Sequence, residues 1–197
     1  MSKKRTASIK RDTKETQIEL EFNIDGSGEA SVDTGIGFFD HMLEGFARHG
    51  LFDLKLTATG DLHVDGHHTV EDTGIVLGNA IREAVGDKKG IRRYGHMILP
   101  MDDALVLCAV DLCSRPYFSY EADFDTEKIG YLDTELIKEF FYAVSYSAMM
   151  NLHIKVISGT NSHHIAEAMF KSFAKALDIA TGYDERIEDV LSTKGTL

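Results

Sequence analysis

Two short segments of the sequence repeat one set of potential metal-binding side chains. Each has two adjacent histidines followed three residues later by a glutamate, in His67-His68-Thr69-Val70-Glu71 and again in His163-His164-Ile165-Ala166-Glu167. Imidazole nitrogens and carboxylate oxygens suit a borderline divalent metal ion. The two segments, called here the first and second cassettes, lie almost half the chain apart. A duplicated unit with one cassette in each half is the simplest interpretation.

Helical geometry limits how each cassette can bind metal. On a helix, the first histidine and the glutamate are four residues apart and share one face. The second histidine, His68 or His164, is rotated by about 100° from the first. Adjacent histidines therefore cannot easily bind one ion together. Either one orients the other, or the two bind different ions, which favours two ions with ligands from more than one segment or subunit.

Six of the nine histidines are candidate ligands, and two glutamates complete a set of three imidazoles and one carboxylate for each of two ions. These ligands, without thiolate, fit manganese, iron, nickel or zinc, and the residue types do not choose between them. A single cassette is equally typical of a polar first turn of a surface helix; two copies in register favour metal. The predicted metal ligands are His41, His67, His68, Glu71, His153, His163, His164 and Glu167.

The composition excludes several classes of protein. A net charge of −11 without a basic stripe argues against nucleic-acid binding. No apolar run has the length of a membrane helix, and the first residues lack the apolar run of a secretion signal. The two cysteines, Cys108 and Cys113, suit small core residues in a reducing compartment. We therefore expect a cytoplasmic protein that binds neither nucleic acid nor membrane.

A few bases in this acidic chain are candidates for holding an anionic group. Singly, such residues are more often solvated surface charges, but together with the hydroxyl and amide donors of the C-terminal tail they are able to surround a phosphate. The set is Arg93, Arg115, Lys171, Ser192 and Lys194. Glu15 and the pair Asp102-Asp103 are candidate acid or base carboxylates.

Hydrophobic periodicity predicts an α+β fold in which each half has the order β-β-β-α-β-α. The first half-repeat spans residues 1–88 and the second 89–197, and the two pseudo-symmetric halves are expected to pack as one subunit. Gln17 to Ile24 alternates as a strand, and Glu29 to Asp33 is predicted to be its return strand in a hairpin. The helix after Asp33 is expected to be capped at its C-terminal end by Gly50. Asp133 is expected to begin the first helix of the second half.

These segments together resemble the imidazoleglycerol-phosphate dehydratase family, the lyases of histidine biosynthesis. The longest matches are Thr34 to Leu43, Asp65 to Asp72 and Asn161 to Ala168, and the resemblance spans essentially the whole chain. Shorter matches are Glu15 with its neighbours, Arg93-Tyr94-Gly95, Pro100-Met101-Asp102, Arg115-Pro116, Leu152-His153-Ile154 and Ser192-Thr193-Lys194-Gly195. The chain departs from the family's more frequent residues at Cys113-Ser114 and at Leu191.

The resemblance implies a large assembly of twenty-four identical subunits, with two Mn²⁺ ions per subunit completed at subunit interfaces. It also implies a reaction in which imidazole glycerol phosphate loses water to give imidazole acetol phosphate, through a metal-bound imidazolate and a diazafulvene-like intermediate. Glu15, Glu71 and Glu167 are the implied catalytic carboxylates. The implied substrate-binding residues are Glu15, His41, His49, His67, Glu71, Arg93, Arg115, His163, Lys171, Ser192 and Lys194.

Two other functions are compatible with the cassettes alone. A metal hydrolase of another class would use a metal-bound hydroxide on an ester or phosphoester. A non-catalytic shell for metal binding or storage would take up far more than two ions per chain.

Overall fold

The predicted order of elements is confirmed in the computed structural model, which describes residues 4–197. Residues 1–3 belong to the segment examined for a secretion signal and to the first half-repeat, and they lie outside the described residues. The first half contains β1 (Thr6–Asp12), β2 (Thr16–Asn23), β3 (Ala30–Asp33), α1 (Gly37–Gly50), β4 (Asp53–Gly60) and α2 (His67–Val85). The second contains β5 (Tyr94–Met101), β6 (Ala104–Asp111), β7 (Tyr117–Glu121), β8 (Lys128–Ile129), β9 (Leu132–Asp133), α3 (Glu135–Ala148), β10 (Asn151–Ser158) and α4 (Ser162–Thr181). The small β8–β9 hairpin is an addition that the sequence pattern did not predict.

The two main sheets have the same topology, with strand orders β1-β2-β4-β3 and β5-β6-β10-β7. The predicted hairpin between β2 and β3 is wrong, because β3 pairs in parallel with β4 instead. Both edges of β2 are already taken, by β1 and β4. The Asp53 carboxylate at the start of β4 accepts hydrogen bonds from the backbone N–H groups of Ser27 (2.7 Å) and Glu29 (3.3 Å), which draws the turn across the end of β4.

The helices form a double layer between the two sheets. In each sheet the alternation of the strands points apolar side chains such as Ile18 and Leu20 inward, where they are fully buried. Helix α1 packs against α4 and α2 against α3, so the two halves share one core. Phe46 of α1 stacks on Phe173 of α4 with ring centroids 5.4 Å apart, which joins the halves directly. Within residues 4–197, no helix is long and apolar enough to cross a membrane.

Two predicted helix ends are wrong. Gly50 is the last residue of α1 rather than its cap, and Leu51 adopts the left-handed conformation of the cap with φ of 58°. A side chain at Gly50 would come within 2.1 Å of the Phe52 ring, so glycine is needed there for close approach. Asp133 belongs to β9 and forms an ion pair with Lys128 at 3.2 Å, and α3 begins two residues later.

Candidate active site

Both cassettes lie in the first turn of a helix, where a polar side chain upstream fixes the backbone. The Asp65 carboxylate accepts a hydrogen bond from the backbone N–H of His67 at 2.8 Å. The Asn161 side chain accepts from the N–H groups of His163 and His164 at 2.9 and 3.2 Å. These acceptors satisfy N–H groups that a helix start leaves without partners. In each cassette the two rings stand at 80° to each other, with centroids 6.2 Å apart in the first and 6.1 Å in the second.

Helix α1 adds a third potential ligand to the second cassette. The Oε2 atom of Glu167 lies 3.1 Å from His163 Nε2 and 3.8 Å from His41 Nε2. Ligand atoms of all three residues lie within 4.8 Å of one another. Ligands that bind one ion at about 2.0–2.2 Å must lie this close together, so the donor set and its spacing fit a divalent metal. The structure therefore brings together three of the predicted ligands within one chain.

Lys171 keeps the carboxylate of this cluster ionised. Its Nζ atom donates to Glu167 Oε1 at 2.6 Å, which leaves Oε2 directed at the two histidines. Burial acts to raise the pKa of Glu167, but the hydrogen bond and charge of Lys171 outweigh it and lower that pKa. An ionised carboxylate is the form that binds a metal ion. His49 lies near the same lysine, and burial followed by the Lys171 charge lowers the pKa of His49.

The first cassette has a smaller cluster within the chain. His67 Nε2 lies 3.6 Å from Glu71 Oε2. Helix α3 packs on α2 as α1 packs on α4. Glu139, the fifth residue of α3, therefore occupies the position equivalent to that of His41, the fifth residue of α1. Desolvation raises the pKa of Tyr142, and the nearby charges of Glu139 and Glu71 raise it further. Sequence reasoning missed Glu139, which an alignment of α1 with α3 would have found.

His68 is held by a carboxylate on one ring nitrogen and faces another with the second. Its Nδ1 atom lies 3.0 Å from Asp61, and its Nε2 atom lies 3.9 Å from Glu15. The hydrogen bond to Asp61 is the main reason that the pKa of His68 is raised. A carboxylate on Nδ1 fixes the ring and leaves Nε2 as the free nitrogen, which is the usual arrangement behind a metal-binding histidine. Sequence reasoning missed Asp61, which lies in the loop after β4.

His164 repeats this arrangement with carboxylates from another part of the fold. Its Nδ1 atom lies 2.6 Å from Asp103 and its Nε2 atom 3.4 Å from Asp102, both in the β5–β6 turn. The backbone N–H of Thr160, together with His164, holds the pKa of Asp103 well below its usual range. Glu15 and Asp102 lie in the equivalent β1–β2 and β5–β6 turns, whereas the Nδ1 partners Asp61 and Asp103 come from loops that are not equivalent. The candidate acid or base pair Asp102-Asp103 lies against a histidine of the second cassette.

His153 lies apart from the cassettes within the chain. Its neighbours Leu152 and Ile154 point into the core, and His153 itself is exposed on the outer face of the second sheet, with its ring 5.6 Å from that of Tyr117. A ligand role for His153 would require a second subunit.

The predicted phosphate-binding residues separate into two groups. One pocket beside the C-terminal tail is lined by Arg93, Arg115, Ser192 and Lys194. Lys171 lies outside the lining of this pocket and contacts Glu167 instead.

Arg93 is fixed in its pocket by a residue that the sequence did not single out. It donates two hydrogen bonds to the Asp111 carboxylate, at 2.7 and 3.1 Å, and a third to the carbonyl oxygen of Leu191 at 2.7 Å. The bond to Asp111 is the main reason that the pKa of Arg93 is raised. Arg93 therefore anchors the start of the tail as well as lining the pocket.

Replacing Asp61 with asparagine should weaken metal binding at the first cassette by about 10- to 100-fold, because His68 loses the carboxylate that orients it. Calorimetric titration of metal-free protein with Mn²⁺ would measure this. Asp125, exposed between β7 and β8, provides the matched Asp-to-Asn control. Unchanged affinity in the Asp61 variant would show that this contact does not support a ligand.

The fold and the clustered histidines, carboxylates and bases define an internally duplicated α+β enzyme. A family model described as imidazoleglycerol-phosphate dehydratase matches residues 34–177. The chain is 66% identical over 193 residues to the imidazoleglycerol-phosphate dehydratase of Lachnoclostridium phytofermentans, covering 98% of each chain. The solved structure of the Staphylococcus aureus imidazoleglycerol-phosphate dehydratase is similar, with a TM-score of 0.83, 40% identity and coverage of 91% of this chain and 99% of that one.

The corresponding structure from Pyrococcus furiosus, in complex with (S)-C348, has the same TM-score of 0.83 at 41% identity, covering 96% of this chain and 100% of that one. The chain belongs to the imidazoleglycerol-phosphate dehydratase family. It is a dehydratase of histidine biosynthesis, as the resemblance of its motifs predicted.

Proposed function

We propose that the chain converts imidazole glycerol phosphate to imidazole acetol phosphate and water with the help of two Mn²⁺ ions per subunit. The observation that carries the metal requirement is the cluster of His41, His163 and Glu167, whose ligand atoms lie within 4.8 Å of one another. Family membership supports the reaction, and the cluster supports the metal.

The two ions would be held by pseudo-equivalent sets of residues. His41, His163 and Glu167 would hold one, and His67 and Glu71 would contribute to the other. His68 and His164 present their free Nε2 atoms in directions rotated from these clusters, so they suit ions completed by a neighbouring subunit. Metal bound to the substrate's imidazole would favour its deprotonated imidazolate form, whose electron pair would help to expel the C3 hydroxyl group.

Glu15 is the carboxylate best placed to remove the C2 proton. Its side chain is 56% exposed, and its Oε2 atom lies 3.9 Å from His68 Nε2. The backbone N–H of Asp61 donates to the Glu15 carbonyl oxygen at 3.1 Å, so one residue fixes both His68 and the turn that carries Glu15. Glu71 and Glu167 already face histidines, and Glu167 is also paired with Lys171. Glu15 is therefore the freest of the three to exchange a proton.

The bases of the tail pocket would bind the substrate's phosphate. Arg115 offers forked donors suited to phosphate oxygens, and Lys194 adds a charge. The fork of Arg93 is held by Asp111, so Arg93 offers only its remaining N–H groups. Lys171 lies outside this pocket, beside the His41 cluster. The family resemblance implies a homo-oligomer of twenty-four subunits whose sites lie at interfaces, and such an assembly would be able to bring Lys171 of one chain to the tail pocket of another.

Chelation followed by metal return tests this proposal. Purified protein dialysed against a chelator should lose nearly all dehydratase activity on imidazole glycerol phosphate, and Mn²⁺ at two equivalents per chain should restore it. Light scattering on the same samples would report the assembly. Full activity in metal-free protein, or no metal-dependent product at all, would refute the proposal. Uptake far beyond two ions per chain would favour a storage role.

A further inference from the structure

The linker between the two halves carries a buried lysine that, among residues 4–197, has no carboxylate partner in hydrogen-bonding contact. Lys88 lies between Gly86 and Gly90, is only 7% exposed, and adopts the left-handed conformation with φ of 63°. Its Nζ atom donates a hydrogen bond to Ser114 Oγ at 2.7 Å. Burial is the main reason that the pKa of Lys88 is lowered. Burying an ammonium group is costly, so a lysine held against a hydroxyl needs an explanation.

The partner of Lys88 lies in the turn that carries Arg115. Ser114 also has a left-handed backbone, with φ of 61°, which is uncommon for a residue with a side chain. The next residue is fixed through its carbonyl oxygen, which accepts hydrogen bonds from the Asn151 side chain at 2.6 Å and from the Cys113 thiol at 3.5 Å. The contacts of Asn151 and Cys113 hold the Arg115 end of the turn, and Lys88 holds the Ser114 end.

The side chain of Arg115 lines the tail pocket with Arg93 and Lys194, whereas Lys88 lies outside the lining of that pocket. An effect of Lys88 on a ligand there can pass through the turn, or it can act through the charge of Lys88 on Asp111 and Arg93. The hydrogen bond to a strained residue directly before Arg115 favours the turn.

We propose that Lys88 is a positioning residue for phosphate binding, which holds the Ser114 turn so that Arg115 faces the tail pocket. The proposal rests on the proposed function only in taking the phosphate of the substrate as the ligand of this pocket. It adds a residue from the linker between the two repeats to the set that determines substrate affinity. Because Lys88 touches neither the pocket nor the metal clusters, its loss should affect binding rather than the chemical step.

The variant Lys88→Met of the full-length, manganese-loaded protein should raise KM by about tenfold and change kcat by less than about twofold. Calorimetry should show a similar weakening of inorganic phosphate binding. Since phosphate binding needs no turnover, this measurement remains decisive even if the dehydratase reaction fails. An equal loss in kcat with unchanged KM would overturn the proposal.

A double-variant cycle distinguishes action of Lys88 through Ser114 from action of the Lys88 charge alone. Ser114→Ala removes the hydroxyl and should raise KM about as much as Lys88→Met, and the double variant should be scarcely worse than either. If the effects of the two substitutions on KM multiply in the double variant, the role assigned to Ser114 is refuted. Ser114→Ala also keeps the proposal testable if Lys88→Met fails to fold. Ile18→Val in the core of the first sheet is the control for lost stability, and its KM should not change.

Discussion

Replacing Glu167 with glutamine is expected to lower kcat by about a thousandfold and to remove one of the two manganese ions per chain. The amide keeps the shape of the side chain but removes the charge that faces His163 and His41 at 3.1 and 3.8 Å. It also leaves the partly buried ammonium of Lys171 without its partner at 2.6 Å. A metal ligand and a charge balance are lost together, so the effect should exceed the roughly 10- to 100-fold typical of a supporting residue. Metal analysis and steady-state kinetics on the same sample would measure both.

The pseudo-symmetry of the chain supplies the matched variant. Glu71→Gln should remove the other ion, because Glu71 faces His67 as Glu167 faces His163. His96→Asn is the control, since His96 is an exposed histidine of β5 outside the predicted ligand set. Two ions retained in the Glu167 variant, with kcat within tenfold of the parent, would contradict the assignment of this cluster as a metal site. His153→Asn tests the remaining predicted histidine ligand, and loss of an ion would assign His153 to a metal site completed by a neighbouring subunit.

The repeat was predictable because both halves carry the same periodicity, and strand alternation such as that of Ile18, Leu20 and Phe22 depends only on local sequence. The pairing of β3 was not, since alternation shows which face of a strand is buried but not which strand lies beside it. The deciding interaction is the Asp53 carboxylate, which holds the turn from a position more than twenty residues away in the chain. Close approach of the Phe52 ring to Gly50 likewise depends on the folded chain.

Part of the candidate site was likewise predictable from the sequence, and part was not. Histidines and glutamates of the cassettes were found because a helix places residues four apart on one face. Asp61 and Glu139 were missed, since one reaches His68 from a loop and the other becomes visible only when the two halves are compared. The division of the phosphate-binding set was equally beyond the sequence, because helix α4 and the tail carry Lys171 and Lys194 to different places.

Replacing Glu15 with glutamine should lower kcat by about 10²- to 10⁴-fold, the range for loss of a general base, while both metal ions and KM stay nearly unchanged. The side chain is 56% exposed and 3.9 Å from His68, so the amide fits without disturbing the fold. Substrate carrying deuterium at C2 should show a larger isotope effect with the variant than with the parent, because proton removal becomes the slow step.

Glu19→Gln is the matched control, because Glu19 is an exposed glutamate on the following strand that pairs only with surface charge, at 2.7 Å from Lys10. Its kcat should stay within about twofold of the parent, as expected for an exposed ion pair. If the Glu15 variant instead loses a metal ion, Glu15 contributes to metal binding rather than to proton transfer. If its kcat falls by less than tenfold, the proton must pass to another carboxylate. Glu71 becomes the first to test, because among the residues that the structure describes it faces only His67 and has no lysine partner like that of Glu167.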